Sequence, residues 1–277
     1  MSRTRVAMAD GQGILPLLLR RDRLPVALGL VGVSGLAWLD LVWMANAMPG
    51  IAGMSEMAQM AMPTIEPWSA GDWLAMFLMW AIMMVAMMLP SAAPMILLYD
   101  RVRERQEARG ASLAATGVFA LGYLLAWALF SLAATAAQWL LEQLALLSPL
   151  MVSASPWLGG GLLIAAGLYQ WTPLKHACLV HCRSPITFLG HHWRPGRAGA
   201  LRMGLHHGLY CVGCCWVLMA LLFVGGVMNL LWIALLALFV LLEKVVPRGE
   251  LFARLSAILL AGAGLLVILA GQSGLAS

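Results

Sequence analysis

The stretch Arg202–Met219 reads RMGLHHGLYCVGCCWVLM and places two histidines and three cysteines within an apolar run. In a helix, residues at positions i, i+4, i+7 and i+8 lie on one face. Four residues of the stretch have this spacing: His207, Cys211, Cys214 and Cys215. Thiolates and imidazole are ligands of Cu(I) and zinc rather than of magnesium or calcium. The stretch therefore predicts a metal site on one face of an apolar helix.

The composition of the chain indicates that this helix lies in a membrane. The chain has 277 residues, of which 62% are hydrophobic and 10% are charged, whereas soluble domains carry about 25% charged residues. Long apolar segments separate the 17 Lys and Arg residues into four clusters, which are Arg3–Arg23, Arg101–Arg109, Lys175–Arg202 and Lys244–Arg254. The positive-inside rule predicts this pattern. The net charge of +5 thus reflects membrane topology, and we expect the lipid bilayer and not nucleic acid as a partner.

The apolar segments predict an all-α fold, a polytopic transmembrane bundle of about seven spans with the N-terminus inside and the C-terminus outside. A span needs about 20 apolar residues. The predicted spans cover residues 24–44, 72–99, 112–140, 156–172, 202–219, 230–242 and 251–271. The fourth span is rich in glycine, which favours close contact with another helix. We expect residues 1–23 to be cytoplasmic and residues 24–272 to form one domain in a bacterial inner membrane.

Two predicted loops carry further sulfur ligands. The outer loop 46–71 contains no Lys or Arg and holds five methionines, whose thioethers either cover apolar surface or gather Cu(I). The inner loop 174–202 contains Cys178 and Cys182 one helical turn apart. These two cysteines either form a second metal or thiol site at the cytoplasmic surface or pack together at the end of a helix.

Methionines on the second span offer additional ligands. Met83 and Met87 are one turn apart, and Met84 begins a neighbouring row. At about 1.5 Å per residue, counting from opposite membrane surfaces places Met84 and Cys214 both about 18 Å deep, near the middle of a ~30 Å apolar core. We therefore expect the second and fifth spans to pack together, with Met83, Met84 or Met87 within reach of Cys211, Cys214 or Cys215.

Four pieces of the sequence resemble a bacterial family of predicted metal-binding integral membrane proteins, a domain of unknown function. The pieces are MWAIMMVAMMLPSAAPM (Met79–Met95), KHACLVHCRSP (Lys175–Pro185), GLHHGLYCVGCCW (Gly204–Trp216) and EK (Glu243–Lys244). The resemblance covers most of the chain from the second span onward. It implies a membrane protein that binds a metal, and it names no reaction.

These observations favour an integral membrane protein that holds or handles Cu(I) between the second and fifth spans. Zinc needs further strong ligands, and no other predicted span supplies Cys or His within the core. One alternative is a membrane copper oxidase or oxygenase, although such enzymes use several histidines and only His206 and His207 lie within a span. Another alternative is a thiol–disulfide oxidoreductase that uses the CxxC motif Cys211–Cys214. The last is a purely structural role for the cysteines, so the sequence leaves open whether the chain is an enzyme.

Overall fold

Helices make up nearly all of the computed structural model, which describes residues 24–47, 68–106, 113–148, 151–246 and 249–273. Within these ranges the structure has no strand, and a single β-bridge joins Leu147 to Ser153. The helices are α1 (Leu24–Ala47), α2 (Ala70–Gln106), α3 (Leu113–Gln143), α4 (Pro156–Tyr169), α5 (Pro173–Arg183), α6 (Pro185–His192), α7 (Gly196–Ala220), α8 (Leu222–Gly225), α9 (Leu230–Val245) and α10 (Gly249–Gln272). The predicted all-α fold is confirmed.

Five stretches of helix are long and apolar enough to cross a membrane, counted over the described residues. They are α1, α2, α3, α7 continued by α8, and α10. The fourth and sixth predicted spans correspond to α4 and α9, which have 14 and 16 residues and are shorter than the ~20 residues that a full crossing needs. The count of seven spans and the orientation of the chain therefore stay predictions.

Two pairs of helices approach closely because glycine faces the neighbouring backbone. In the α3–α7 pair, a Cβ on Gly204 would lie 1.9 Å from the carbonyl oxygen of Phe119, and one on Gly122 would lie 2.2 Å from that of Leu201. In the α4–α10 pair, a Cβ on Gly264 would lie 2.5 Å from the carbonyl oxygen of Gly160. Small residues permit this kind of backbone contact in membrane proteins. The expected close packing of the glycine-rich fourth span is thus present in α4.

Pro90, the first of two prolines inside α2, leaves a backbone carbonyl without its partner in the helix, and another helix supplies a donor to it. Proline has no N–H, so Pro90 cannot bond the carbonyl four residues before it, which belongs to Ala86. The indole Nε1 of Trp38 on α1 donates to this carbonyl at 3.1 Å. The hydrogen bond explains how α2 continues through Pro90 and, at the same time, fixes α1 against α2.

Residues 173–192, nearly all of which lie in the predicted inner loop 174–202, form the short helices α5 and α6. Each begins with a proline. Proline lacks a backbone N–H, but an N–H in the first turn of a helix has no acceptor within the helix, so no hydrogen bond is lost there. The backbone N–H of Lys175 donates to the Thr172 hydroxyl at 3.3 Å and caps the start of α5. Both helices then pack on the bundle, because α5 contacts α7 and α6 contacts α2. The turn between α4 and α5 thus brings the inner cysteines against α7.

Candidate metal centre

The predicted metal face of α7 lies toward the interior of the bundle. His207, Cys211, Cys214 and Cys215 are all at most 3% exposed. Leu209 and Trp216, on other sides of the helix, are 49% and 46% exposed. The helical spacing read from the sequence therefore identifies the buried face correctly.

A lysine side chain from another helix reaches Cys211. Lys244, near the end of α9, places its Nζ 2.9 Å from the Cys211 sulfur and 2.9 Å from the Ser91 hydroxyl of α2. An ammonium beside a thiol favours the thiolate. Two charges taken out of water need good geometry and further hydrogen bonds, and the ammonium donates one of these to the Ser91 hydroxyl. Lys244 and Cys211 therefore form a candidate ion pair inside the bundle.

A tyrosine hydroxyl from α3 also contacts the Cys211 sulfur. The Tyr123 hydroxyl lies 3.1 Å from the Cys211 sulfur and 3.1 Å from the carbonyl oxygen of Met88 on α2. Tyr123 is fully buried, and a buried tyrosine hydroxyl requires such partners. Groups from α3, α9 and α7 itself thus meet at Cys211.

The remaining cysteines lie around Cys211. Cys214 and Cys215 donate their thiol hydrogens to the Cys211 carbonyl at 3.1 and 2.9 Å. Cys182 of α5 is partly buried and packs against the core cluster that contains Cys211 and Cys214. Cys178 packs on Gly213, where a Cβ would lie 2.8 Å from its sulfur. The two cysteine motifs, which the sequence suggested as separate sites, are brought together by the packing of α5 on α7.

His207 has a ring nitrogen without a hydrogen-bond partner among the described residues, since its buried Nδ1 is unsatisfied. Its ring is surrounded by aromatic side chains, with centroid distances of 5.4 Å to Phe188, 5.8 Å to Tyr123 and 6.4 Å to Phe119. A buried polar atom without a partner costs about 1–3 kcal/mol. An unsatisfied imidazole nitrogen one turn from Cys211 is therefore suited to bind a ligand.

Across the described ranges, no three His, Cys, Asp or Glu side chains converge as a ready-made metal site. The reason lies in the partners that the thiols already have. Cys211 contacts Lys244 and Tyr123, while Cys214 and Cys215 donate to the backbone of their own helix. A metal would bind here by exchanging these partners.

The predicted methionines are buried in the same core, but the link between α2 and α7 is indirect. Met83, Met84 and Met87 are at most 2% exposed and belong to the hydrophobic cluster that contains the cysteines. The most extensive neighbours of α7 are α3 and α5 rather than α2. Tyr123 and Lys244 bridge the second and fifth spans, because each bonds to α2 and to Cys211. That the thioethers reach the cysteines stays a prediction.

Sequence reasoning did not find Tyr123 or the contact between Lys244 and Cys211. Both positions carry a signal in retrospect. A tyrosine hydroxyl or an ammonium among apolar residues needs a polar partner. Glu243, beside Lys244 in the chain, pairs with Lys175 at 2.8 Å rather than with Lys244. Adjacent residues of α9 thus bind different helices.

With this geometry in place, comparison with known sequences identifies the family. The family model described as PpoB2, copper chaperone, matches residues 77–267. This is more than half of the chain. The chain belongs to the PpoB2 copper chaperone family. No curated protein and no solved structure matches the chain.

The match to the copper chaperone family contains all the candidate ligands. Its range begins in α2 before Met83 and ends in α10. The cysteines, His207, Tyr123 and Lys244 all lie within it. The expected association with copper is confirmed, whereas the resemblance to a family of predicted metal-binding integral membrane proteins stays a prediction. The methionine-rich segment 48–67 and residues 1–23 lie outside both the match and the described residues.

Proposed function

We propose that this chain is a membrane copper chaperone that carries Cu(I) as cargo on the buried face of α7. The ligands proposed are His207, Cys211, Cys214 and Cys215 of α7 together with Cys182 of α5. The observation that supports this proposal most strongly is the contact of the Lys244 ammonium with the Cys211 sulfur at 2.9 Å. It marks a place in the apolar interior where the protein already pairs a sulfur with one positive charge.

Cu(I) carries the same single charge as the lysine ammonium. Once copper binds the Cys211 thiolate, Lys244 keeps its bond to Ser91 but needs another counter-charge. A second cysteine supplies this charge, because its thiol releases a proton to solvent when it binds the metal. Two thiolates then balance the charges of Cu(I) and of the ammonium, so copper loading leaves no uncompensated charge in the interior.

The donor set favours copper over zinc. Zinc sites in proteins are almost always tetrahedral and are closed by strong ligands. His207 and the α7 cysteines all approach from one helix, and the one thiol proposed from a second helix is Cys182, which packs against the same core. Soft thiolate and thioether ligands select Cu(I), and Met83, Met84 and Met87 are buried in the same core. We therefore propose reduced copper as the cargo and these thioethers as secondary ligands.

Burial separates the chaperone proposal from a thiol–disulfide oxidoreductase. A cysteine that exchanges disulfides with a partner must be reachable by the partner's thiol. Cys211 and Cys214 are 1% and 0% exposed. The burial of the CxxC motif therefore weighs against thiol exchange with a partner protein.

The proposal is tested by copper competition on the purified protein in detergent under reducing conditions. A chromophoric Cu(I) chelator of known affinity reports how much copper the protein holds. We expect the wild type to compete for Cu(I) and the double variant Cys211→Ser/Cys214→Ser to lose most of this binding. Cys178→Ser is the matched control, because its sulfur packs on Gly213, and we expect it to retain copper. Undiminished copper in the double variant, or stoichiometric zinc that survives a copper-rich preparation, contradicts the proposal.

A further inference from the structure

A cavity of about 620 Å³ lies between the turn that joins α4 to α5 and the first half of α10. One wall is formed by residues 170–173 with Lys175, His176 and Leu179, and the other by Ala253 and Arg254. None of the proposed copper ligands lines it. The volume is in the range of small-molecule sites, which measure about 300–1,000 Å³.

The wall of the cavity contains a buried hydrogen-bond acceptor without a partner. Gln170 is 7% exposed, and its Nε2 donates to the Ser256 hydroxyl at 3.3 Å. Its Oε1 is buried and accepts no hydrogen bond from the described residues. Buried side-chain oxygens are nearly always satisfied. The position therefore calls for a ligand that brings a hydrogen-bond donor.

The ionisable side chains that line the cavity are basic. Arg254 is exposed at one wall and His176 at the other. Lys175 is held by Glu243 at 2.8 Å behind the wall. No Asp or Glu is among the lining residues, as far as the described chain extends. A guanidinium presents a fork of donors that matches a phosphate group, so Arg254 favours an anionic phosphate.

We propose that this cavity binds the headgroup of a phospholipid that carries both a phosphate and a hydrogen-bond donor. The phosphate lies on Arg254, and the ammonium of phosphatidylethanolamine or a hydroxyl of phosphatidylglycerol donates to Gln170 Oε1. Basic pockets between membrane helices bind lipid headgroups in this way. Trp171, which also lines the cavity, is 54% exposed, and tryptophan is enriched at the level of the headgroups. The exposed indole of Trp171 therefore indicates that the cavity lies at the level of the headgroups, which favours a lipid over a soluble phosphate ester.

Lipid retention measured by native mass spectrometry tests the proposal on the full chain in detergent. The protein is exchanged into phosphatidylethanolamine, phosphatidylglycerol or phosphatidylcholine. The last has the phosphate but no donor in its headgroup. We expect the first two lipids to be retained at least several-fold better than phosphatidylcholine. Gln170→Leu abolishes this preference, because it removes the acceptor, and Arg254→Gln lowers retention of all three lipids.

Arg197→Gln is the matched control, since Arg197 is an exposed arginine at the start of α7, and it should retain lipid like the wild type. Thermal unfolding of each variant verifies that the bundle is intact. Equal retention of phosphatidylcholine, or unchanged retention in both cavity variants, overturns the proposal. Displacement of bound lipid by soluble phosphoethanolamine at equal concentration also overturns it, because it assigns the site to a soluble phosphate ester.

Discussion

The α3–α7 pair and the α4–α10 pair are built alike but differ in chemistry. In both, a glycine faces the backbone of the partner helix at a distance that no Cβ permits. The α3–α7 pair carries Tyr123, His207 and the three cysteines of α7, all buried. The α4–α10 pair carries no cysteine or histidine, and at its end Gln170 donates to Ser256 of α10. Glycine thus accounts for the close approach in both pairs, and buried sulfur and imidazole groups distinguish the pair that carries the candidate metal centre.

The difference arises from what covers each pair. The α3–α7 pair is covered by α5 and meets the end of α9, which supply Cys182 and Lys244. The α4–α10 pair leaves Ile258 and Leu259 more than half exposed, as expected for side chains that contact lipid. A metal ligand in the second pair would lie against lipid, whereas in the first it is enclosed by protein. Enclosure by protein is what intramembrane ionisable groups require.

The largest loss of stability is expected from breaking the ion pair that joins α5 to α9 beside the candidate metal centre. Lys175 and Glu243 are each 1% exposed and lie 2.8 Å apart. Lys175→Met leaves the carboxylate buried without a counter-ion, which costs about 3–5 kcal/mol. Denaturant unfolding in detergent measures this loss. Lys175→Met/Glu243→Gln removes both charges and should recover most of it, whereas a single variant as stable as the wild type contradicts the assignment of a buried ion pair.

The comparison between the two pairs is sharpened by adding one methyl group to each. Gly204→Ala and Gly264→Ala both force backbones apart, and overpacking of this kind costs about 1–3 kcal/mol. Only Gly204→Ala also moves Tyr123 and its helix away from Cys211, so only this variant should weaken Cu(I) binding. Unfolding and copper competition are measured on both variants at a temperature where both are folded. Equal loss of copper affinity in the two would show that the site does not depend on the α3–α7 contact.

A smaller effect is expected from removing single hydroxyl groups. Tyr123→Phe and Tyr169→Phe each delete one buried or partly buried hydrogen bond, worth about 1 kcal/mol. The Tyr123 hydroxyl contacts the Cys211 sulfur, whereas the Tyr169 hydroxyl donates to the carbonyl of Gly213. We expect Tyr123→Phe to weaken Cu(I) binding by up to about fivefold, which corresponds to the same ~1 kcal/mol, and Tyr169→Phe to leave it unchanged. Both variants are compared in the same Cu(I) competition assay. A larger loss of Cu(I) affinity in Tyr169→Phe than in Tyr123→Phe would indicate that copper does not bind at Cys211.

Much of this arrangement follows from local sequence, and the remainder depends on how distant helices meet. The apolar runs predict the long helices, and the i, i+4, i+7 spacing predicts that His207 and the α7 cysteines share the buried face. Periodicity cannot predict that Lys244 reaches Cys211 while Glu243 reaches Lys175, because those contacts depend on the position of α5 and α9. The sequence likewise suggested two cysteine sites, since the turn after α4 that brings Cys182 to α7 has no signal in spacing alone. The apolar pattern also does not predict that two of the seven segments form helices of only 14 and 16 residues.

The central claim is that sulfur atoms of the α7 face bind copper, and X-ray absorption at the copper edge tests it most directly. The protein is loaded with one equivalent of Cu(I) under reducing conditions, and its spectrum is compared with that of Cys211→Ser/Cys214→Ser. We predict a reduced-copper edge with a first shell dominated by sulfur, and we predict that the double variant loses this shell together with most of its copper. A first shell of nitrogen and oxygen alone in the wild type, or an unchanged sulfur shell in the variant, would contradict the account.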